Sequence, residues 1–350
     1  KNTLGASDSS PAYLHLIGEV KMGEVPALTI ADNQCALIHT GGMIPVGADA
    51  VVPLEYTQKG NSNQKNIFIE IQKAVAVSEN ILHIGEDIKQ GEEWLLIGKR
   101  IRTAEIGGLM ALGITKIPVF RQLKVGIIST GDEVISPEAE LKLGQVRDVN
   151  TYILSSIVLK RNHIPISYGI CTDDEKSLIK IVRQAHQECD IVVIAAGSSA
   201  SVKDLTSEVI NQVGKPGVII HGLNIKPGKP TILAVCNNKP IIGLPGNPVS
   251  AFVIATLFLN PIMDKCSGCS KPEIFLTYKG KLAMNISTHS GREEWHPMMI
   301  KQALEDSVLV EPIYYKSNLI FSLSRADGLL KIPSESNELS IGAEVDFIRI

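Results

Sequence analysis

The sequence predicts a multidomain α/β plus β protein: a central, mostly parallel α/β domain flanked by two small β domains and an extended linker domain. Three observations predict it. Between residues 123 and 269, strand-like and helix-like runs alternate, and strands such as Asp190-Ile-Val-Val-Ile-Ala-Ala are almost wholly apolar. That is the pattern of a parallel sheet covered on both faces. On either side the runs are short, rich in β-branched residues and separated by Gly, Asn, Asp and Pro, which reads as small β domains. At roughly 150 residues per domain, a chain of 350 residues holds two to three domains, and its 44% hydrophobic and 20% charged content supplies their cores. A disordered or fibrous chain is excluded.

The predicted elements run in order as follows. Residues 1–84 form the N-terminal β domain, a compact barrel or sandwich. Its strands fall at Tyr13–Val20, Cys35–Thr40, Ala50–Pro53 and Asn66–Ile71. Residues 85–122 are a linker segment with one short helix, N-capped by Thr103 and stopped at Gly113. Residues 123–269 are the α/β domain. Its strands begin at Lys124, Ile166, Asp190, Gly217, Thr231 and Pro240, and its helices cover Tyr152–Lys160, Glu175–Glu188, Thr206–Val213 and Pro248–Cys266. Residues 270–350 return to short strands at Ile274–Leu282, Glu294–Lys301, Ser307–Pro312 and Glu344–Ile350.

Lys and Arg number 34 against 37 Asp and Glu, a net charge of −3. No global field draws the chain to nucleic acid or an anionic membrane, so neither partner is expected. Six cysteines are too few for a disulfide scaffold. Cys266 and Cys269 form a CxxC without a second pair or a histidine cluster, which reads as a loop after a helix. No signal peptide is visible. The longest apolar run, Ala251 to Leu259, ends at Asn260-Pro261, too short to span a bilayer. A cytoplasmic protein is expected. Because the chain begins at Lys1, a longer, N-terminally truncated parent is also expected.

Open parallel sheets bind ligands beyond the carboxyl ends of their strands. Four such ends run into Gly131-Asp-Glu, Cys171-Thr-Asp-Asp, Gly197-Ser-Ser-Ala-Ser and Pro245-Gly-Asn-Pro-Val-Ser. Each taken singly has an ordinary reading as a turn or a helix cap; together they predict one crevice. The small-residue loop at Gly197 and Ser198 suits a phosphate approached by backbone N–H groups, although it is neither a dinucleotide fingerprint nor a Walker A loop. In Lys226-Pro-Gly-Lys-Pro the prolines forbid a helix. Two ammonium groups fixed on a stiff turn suit a compact oxyanion, against the plainer reading of a solvated surface turn. Glu133, Asp173 and Asp204 make a candidate site for a hard divalent cation such as Mg²⁺ beside that anion. A Ser/His/Asp triad is not indicated.

Thr40-Gly-Gly-Met-Ile-Pro-Val-Gly-Ala-Asp-Ala-Val-Val, Gly85-Glu-Asp-Ile, Ser129-Thr-Gly-Asp-Glu, Lys226-Pro-Gly-Lys-Pro and Leu244-Pro-Gly-Asn-Pro-Val-Ser together resemble the molybdopterin molybdenumtransferases, the MoeA family that includes the gephyrin E domain. The resemblance covers essentially the whole chain in order. It implies elongated homodimers with a cleft shared between protomers. It also implies insertion of molybdenum from molybdate into adenylylated molybdopterin, with release of AMP and use of Mg²⁺ or a similar cation, and an upstream adenylyltransferase as a possible partner. Position by position it implies a molybdate set of Lys226, Lys229, Pro230, Ser250, Arg292 and Ser322. Glu133, Asp173 and Asp204 become the acidic residues of cation and nucleotide chemistry, Thr40 and Asp87 line the cleft from the partner side, and Pro245 and Pro248 shape the loop under the pterin phosphate. Three departures stand out: the family's N-terminal Asp-Gly-Tyr-Ala-Val motif has no counterpart, Ser201 replaces a glycine of the small-residue loop, and Gly222 replaces a frequent lysine. The competing readings are a non-catalytic anchoring scaffold of the same fold and a related pterin adenylyltransferase.

Overall fold

The structure is a computed structural model that describes residues 1–60, 67–196, 200–270, 277–288, 291–303 and 308–350; the side chains of residues 200–204 and 303 lie outside that set. The chain divides into two compact units, Lys1–Trp94 and Leu95–Ile350.

The first unit is built on one four-stranded sheet. β1 (Ala12–Val20), β2 (Gln34–Ile38), β3 (Thr57–Lys59) and β4 (Phe68–Ile71) lie in the order β2-β1-β4-β3. Among the described residues the edges β2 and β3 do not meet, so this is an open sheet and not the barrel or sandwich the sequence suggested. Ala50–Pro53 is a second correction. It has no ladder partner and leads into a short 3₁₀ turn, Leu54–Tyr56, because Pro53 lacks the N–H a strand needs.

The second unit opens with α1 (Thr103–Ala111). Its cap lies one residue earlier than expected. The Glu105 carboxylate accepts the Arg102 backbone N–H at 2.9 Å and the Arg102 guanidinium at 2.8 Å, reaching back as the N3 residue of a capping box does. Gly113, at φ +70°, follows the helix as predicted.

The α/β layer contains β5 (Lys124–Thr130), a two-residue ladder of β6 (Val134–Ile135) and β7 (Val146–Arg147), α2 (Asn150–Lys160), β8 (Ile164–Cys171), α3 (Glu175–Glu188), β9 (Ile191–Ala196), α4 (Ala200–Val213), β10 (Pro216–His221), β11 (Ile225–Lys226), β12 (Ile232–Cys236) and β13 (Lys239–Pro245). The main sheet has the order β10-β12-β13-β9-β5-β8. The run β13-β9-β5-β8 is parallel throughout, whereas β12 pairs antiparallel with both of its neighbours. The β12–β13 connection is a two-residue turn through Asn237 and Asn238, both at positive φ, as a tight hairpin requires. Alternation along β9 sorts its side chains. Ile191, Val193 and Ala195 join the core under α2 and the last helix of the layer, while Val192, Ile194 and Ala196 join the core under α3 and α4. Both faces are therefore covered.

That last helix is a rod of three parts: α5 (Pro248–Ile254), a wider π turn (Ala255–Leu259) and α6 (Asn260–Cys266). The sequence reading placed this helix at Pro248–Cys266, and the rod spans the same residues, running through Asn260-Pro261. The π turn precedes Pro261, whose missing N–H breaks the α ladder, and the looser winding absorbs that gap. By length and composition Pro248–Cys266 is long and apolar enough to cross a membrane, yet half of it is buried inside this fold. It is the spine of the core, with Val249, Val253, Ile254, Leu259 and Met263 fully covered.

The remaining residues build a small closed barrel. It uses β14 (Tyr278–Leu282), β16 (Glu293–Ala303), β17 (Val308–Pro312), β18 (Gly328–Ile332) and β20 (Glu344–Arg349), in the order β16-β17-β14-β20-β18 and back to β16. A short pair, β15 (Ile286–Ser287) with β19 (Glu338–Leu339), and a single turn, α7 (Phe321–Ser324), complete it. The barrel is joined to the α/β layer in two ways. β11 adds itself to β16 in parallel. Trp295, Leu323, Leu329 and Ile348 belong to the same core as α2 and the long rod.

Candidate functional site

The parallel run β13-β9-β5-β8 brings all four predicted strand ends to one rim, as the alternation required. The two ends of that rim differ.

At the β13 end lies a cleft of about 410 Å³. Lys226, Lys229, Pro230, Ser250 and Arg292, five of the six residues of the predicted oxyanion set, line it together with Pro245. The turn that carries the lysines is held from both sides. The Leu223 N–H donates to Lys229 O at 2.8 Å, and the Thr231 hydroxyl donates to Gly228 O at 2.7 Å. Lys226-Pro227 is a cis peptide. Gly228 sits at φ +119°, and a Cβ there would come within 2.3 Å of Ile254 Cδ1, so only glycine lets the turn press onto the rod. Below it, Pro248 takes the first helical position, where a missing N–H costs nothing. Ser250, 4% exposed, faces the cleft from the first turn of the rod, where unpaired N–H groups and the helix dipole favour an anion.

The structure adds residues that the sequence reading missed. Asn247, His296, Tyr314, Tyr315 and Ser317 also line the cleft. The Asn247 amide donates to Ser317 Oγ at 3.0 Å, tying the strand-end loop to the segment that follows β17. Behind the wall stands Glu294, 1% exposed. Its carboxylate accepts the Lys226 ammonium at 3.1 Å and His296 Nε2 at 2.8 Å. Register explains the first contact, since Lys226 and Glu294 are cross-strand partners in the β11–β16 ladder. Spacing explains the second, since residues two apart on a strand share a face. Burial pushes the Glu294 carboxyl up, but hydrogen bonds from His296 and Lys226 outweigh it and hold the group below the usual carboxylate range. Burial pushes His296 down, which favours the neutral ring. The signal in the sequence was Glu294-Trp-His, an acid and a base alternating beside Arg292.

At the β5–β8 end the cluster is acidic. Gly131 N–H donates to Cys171 O at 3.3 Å, and Asp173 N–H donates to Asp132 Oδ1 at 3.2 Å, so the two loops are in contact. The adjacent acids have separate jobs. Asp174 caps α3, accepting the Ser177 N–H at 2.9 Å and the Thr172 hydroxyl at 2.6 Å; those bonds hold its carboxyl down at about 2. Asp173 keeps one buried oxygen, Oδ1, without a hydrogen-bond partner. Burial raises its carboxyl above the ordinary range, and the charges of Asp132 and Glu133 raise it further. The nearby Thr130 hydroxyl favours the charged form, although it too stays buried without a properly placed partner.

Ser322 donates to Leu319 O at 2.8 Å within α7, and it is not among the cleft-lining residues. Thr40 and Asp87 are exposed in the first unit. Gly197 and Ser198 lie outside the described residues, as does the side chain of Asp204. Among the described residues no group of three His, Cys, Asp or Glu side chains is placed to hold a metal ion; Cys266 and Cys269 are not joined in a disulfide.

Comparison with known proteins agrees with this architecture. Residues 126–265 match the family described as "Probable molybdopterin binding domain". Residues 1–113 match the MoeA N-terminal region (domain I and II), and residues 279–350 the MoeA C-terminal region (domain IV). A molybdopterin molybdenumtransferase of Haemophilus influenzae is 30% identical over 309 residues, which span 88% of this chain and 75% of that protein. Two crystal structures of a molybdopterin biosynthesis MoeA protein from Pyrococcus horikoshii are similar along the chain. One is 34% identical with a TM-score of 0.75, covering 99% of this chain and 84% of its own. The other is 30% identical with a TM-score of 0.82, covering 100% and 84%. Fold and matched regions together define a protein of molybdenum cofactor biosynthesis. Within that class, the chain belongs to the MoeA family, whose curated members include several named as molybdenumtransferases.

Proposed function

We propose that this chain is the molybdenum-inserting transferase of its pathway: it binds molybdate in the cleft at the β13 end and transfers molybdenum to adenylylated molybdopterin, with AMP as the leaving product. The observation that carries the reading is the cleft itself. Two lysines, an arginine and a buried serine from three separate segments converge on a space walled by rigid backbone, which suits a compact tetrahedral oxyanion. The remaining rim is left for the pterin and its nucleotide, with Pro245 and Pro248 shaping the loop under the pterin phosphate and Gly197 and Ser198 as further phosphate contacts.

Asp173, Glu133 and Asp204 are the residues that would hold a divalent cation. Asp173 fits that part, because its buried unpartnered oxygen lies among like charges and a hard cation satisfies both conditions. When bound, Mg²⁺ would offset phosphate charge. The chain's own contribution is to hold the oxyanion on Lys226, Lys229, Arg292 and Ser250 and to keep it oriented toward the rim.

The reading includes a homodimer in which the partner subunit's Thr40 and Asp87 reach the cleft. Ile106, Met110 and Leu112, each about half exposed along one short helix and its end, supply apolar surface for such a contact. It also includes the four-part division at residues 84, 122 and 269, with Ser322 closing on the oxyanion, and a cytoplasmic location. The test is AMP release from adenylylated molybdopterin by the purified chain. We expect release that requires both molybdate and a divalent cation. Release without molybdate, or none with both present, overturns the reading.

A further inference from the structure

The oxyanion reading leaves one buried acid without a role. Glu294 is almost fully enclosed, is absent from the cleft lining, and stands directly behind two residues that line it, Lys226 and His296. An acid beside an anion site weakens that site unless it does something else. We propose that Glu294 is a positioning residue: its carboxylate anchors Lys226, fixes the proton of His296 on Nε2, and sets the net charge that the cleft presents to a tetrahedral dianion. The inference deepens the molybdate reading and rests on it for the identity of the anion.

Three features of the chain support it. First, Lys226, Lys229 and Arg292 bring three positive charges to the described wall, and Glu294 brings one negative charge. The net charge of +2 matches a dianion such as molybdate. Second, the acid can act on the cleft because it is shielded from solvent. The side chain of Glu294 is 2% exposed against 46% for Lys226, so its field toward the wall is screened less than that of a surface carboxylate. Third, an ionised carboxylate only accepts hydrogen bonds. His296 must therefore donate from Nε2, and a neutral ring then keeps a bare lone pair on Nδ1. The ring is braced in that pose by Tyr315, edge-on at 5.7 Å, and the Tyr315 hydroxyl is itself committed to Trp295 O at 3.1 Å.

Charge and orientation pull in opposite directions when Glu294 is removed. Loss of the anchor frees the end of Lys226, but its backbone stays fixed by the β11–β16 ladder and by Pro227, so little geometry is lost. Loss of the negative charge acts on both charges of the anion at once. Charge therefore wins, and Glu294→Gln tightens the binding of both dianions alike.

Calorimetry with sodium molybdate and, separately, sodium sulfate tests this at low and high salt. Glu294→Gln is expected to bind both dianions about tenfold more tightly at low salt, with a steeper loss as salt rises. The gain is expected to persist in a Lys226→Met background, because the field of the acid also reaches Lys229 and Arg292. Unchanged or weaker binding in a folded Glu294→Gln protein overturns the inference, as does a gain that vanishes in the Lys226→Met background. Nitrogen NMR of the wild-type histidines gives a reading that needs no variant and no anion. One ring, assigned to His296 by its loss in His296→Gln, should show the Nε2–H tautomer; an imidazolium or the Nδ1–H tautomer overturns the assignment. Wild-type protein that binds neither dianion sinks the oxyanion reading of the cleft, and the tautomer then decides the role of Glu294 separately.

Discussion

At the β13 end of the rim, positive side chains sit in a walled cleft. One of them is locked to a buried carboxylate, and the turn beneath is held by hydrogen bonds on both sides. At the β5–β8 end, Asp132, Glu133 and Asp173 crowd together, and a buried oxygen of Asp173 has no partner. In the first cluster one lysine is already paired without a ligand. The second is held at a cost by its own backbone. The difference shows how each end is made selective. A cation site for an oxyanion can be preorganised by pairing one of its lysines, because two further cations remain for the ligand. On the proposed reading, an acidic site for a metal cannot be satisfied in advance without filling the positions the metal would take, and the unpartnered Asp173 oxygen is consistent with that.

The largest expected effect lies at the cationic end. Lys229 and Arg292 line the cleft and make no ion pair among the described residues, so their charge is available to a ligand. A charge-assisted hydrogen bond contributes about 1.5–3 kcal/mol, and exposure of both side chains argues for the lower figure. Lys229→Ala and Arg292→Ala should each weaken molybdate about tenfold by calorimetry, and neither should shift the melting temperature. If affinity survives in both, the contrast between the two ends disappears, since the cleft would then be no more a ligand site than the acidic cluster.

The turn itself comes next. Gly228→Ala places a methyl 2.3 Å from Ile254 Cδ1, in a backbone conformation that other residues avoid. Ile254 is wholly buried in the rod, so it has little room to move. Overpacking of this kind costs roughly 1–3 kcal/mol. We expect a lower urea midpoint together with a loss of molybdate binding, because the lysines ride on the turn that must shift. A destabilised variant with unaltered affinity would show that cleft geometry is set elsewhere.

The two ends also differ in how far the sequence revealed them. The lysine turn was legible because Pro227 and Pro230 fix its backbone locally, whatever the rest of the chain does. The mostly parallel character of the sheet was legible from apolar strands alternating with helices, though not the order of its strands. Glu294 and His296 were not, because their importance arises from a cross-strand pairing between residues 68 positions apart, which no local pattern encodes. The barrel strand β18 and the short β11 were missed for the same reason: each exists through its partners in the sheet. Asp173 and Asp174 looked interchangeable as neighbours, and only the helix start at Glu175 separates the cap from the unsatisfied acid.

That pair gives the smallest and most discriminating prediction. The Asp173 carboxyl is raised by burial and by the charges of Asp132 and Glu133, so in the metal-free protein its ionisation opposes folding. A group whose folded value is raised contributes stability below its ordinary unfolded value, near 3.9; that contribution is lost as pH rises through the raised folded value. Asp174 has the opposite sign. Its hydrogen bonds to Ser177 and Thr172 hold it at about 2, so its contribution is present at neutral pH and is lost only as pH falls toward 2. Asp173→Asn should therefore raise the melting temperature slightly at pH 7 and do nothing below pH 3.5. Asp174→Ala should lower it at pH 7, as the loss of a helix cap does. Added Mg²⁺ should stabilise the wild type and fail to stabilise Asp173→Asn, since a ligand stabilises only the fold that holds it. If Asp173→Asn is instead the destabilising variant at pH 7, the Asp173 oxygen is satisfied within the chain and the acidic end is as complete as the cationic one.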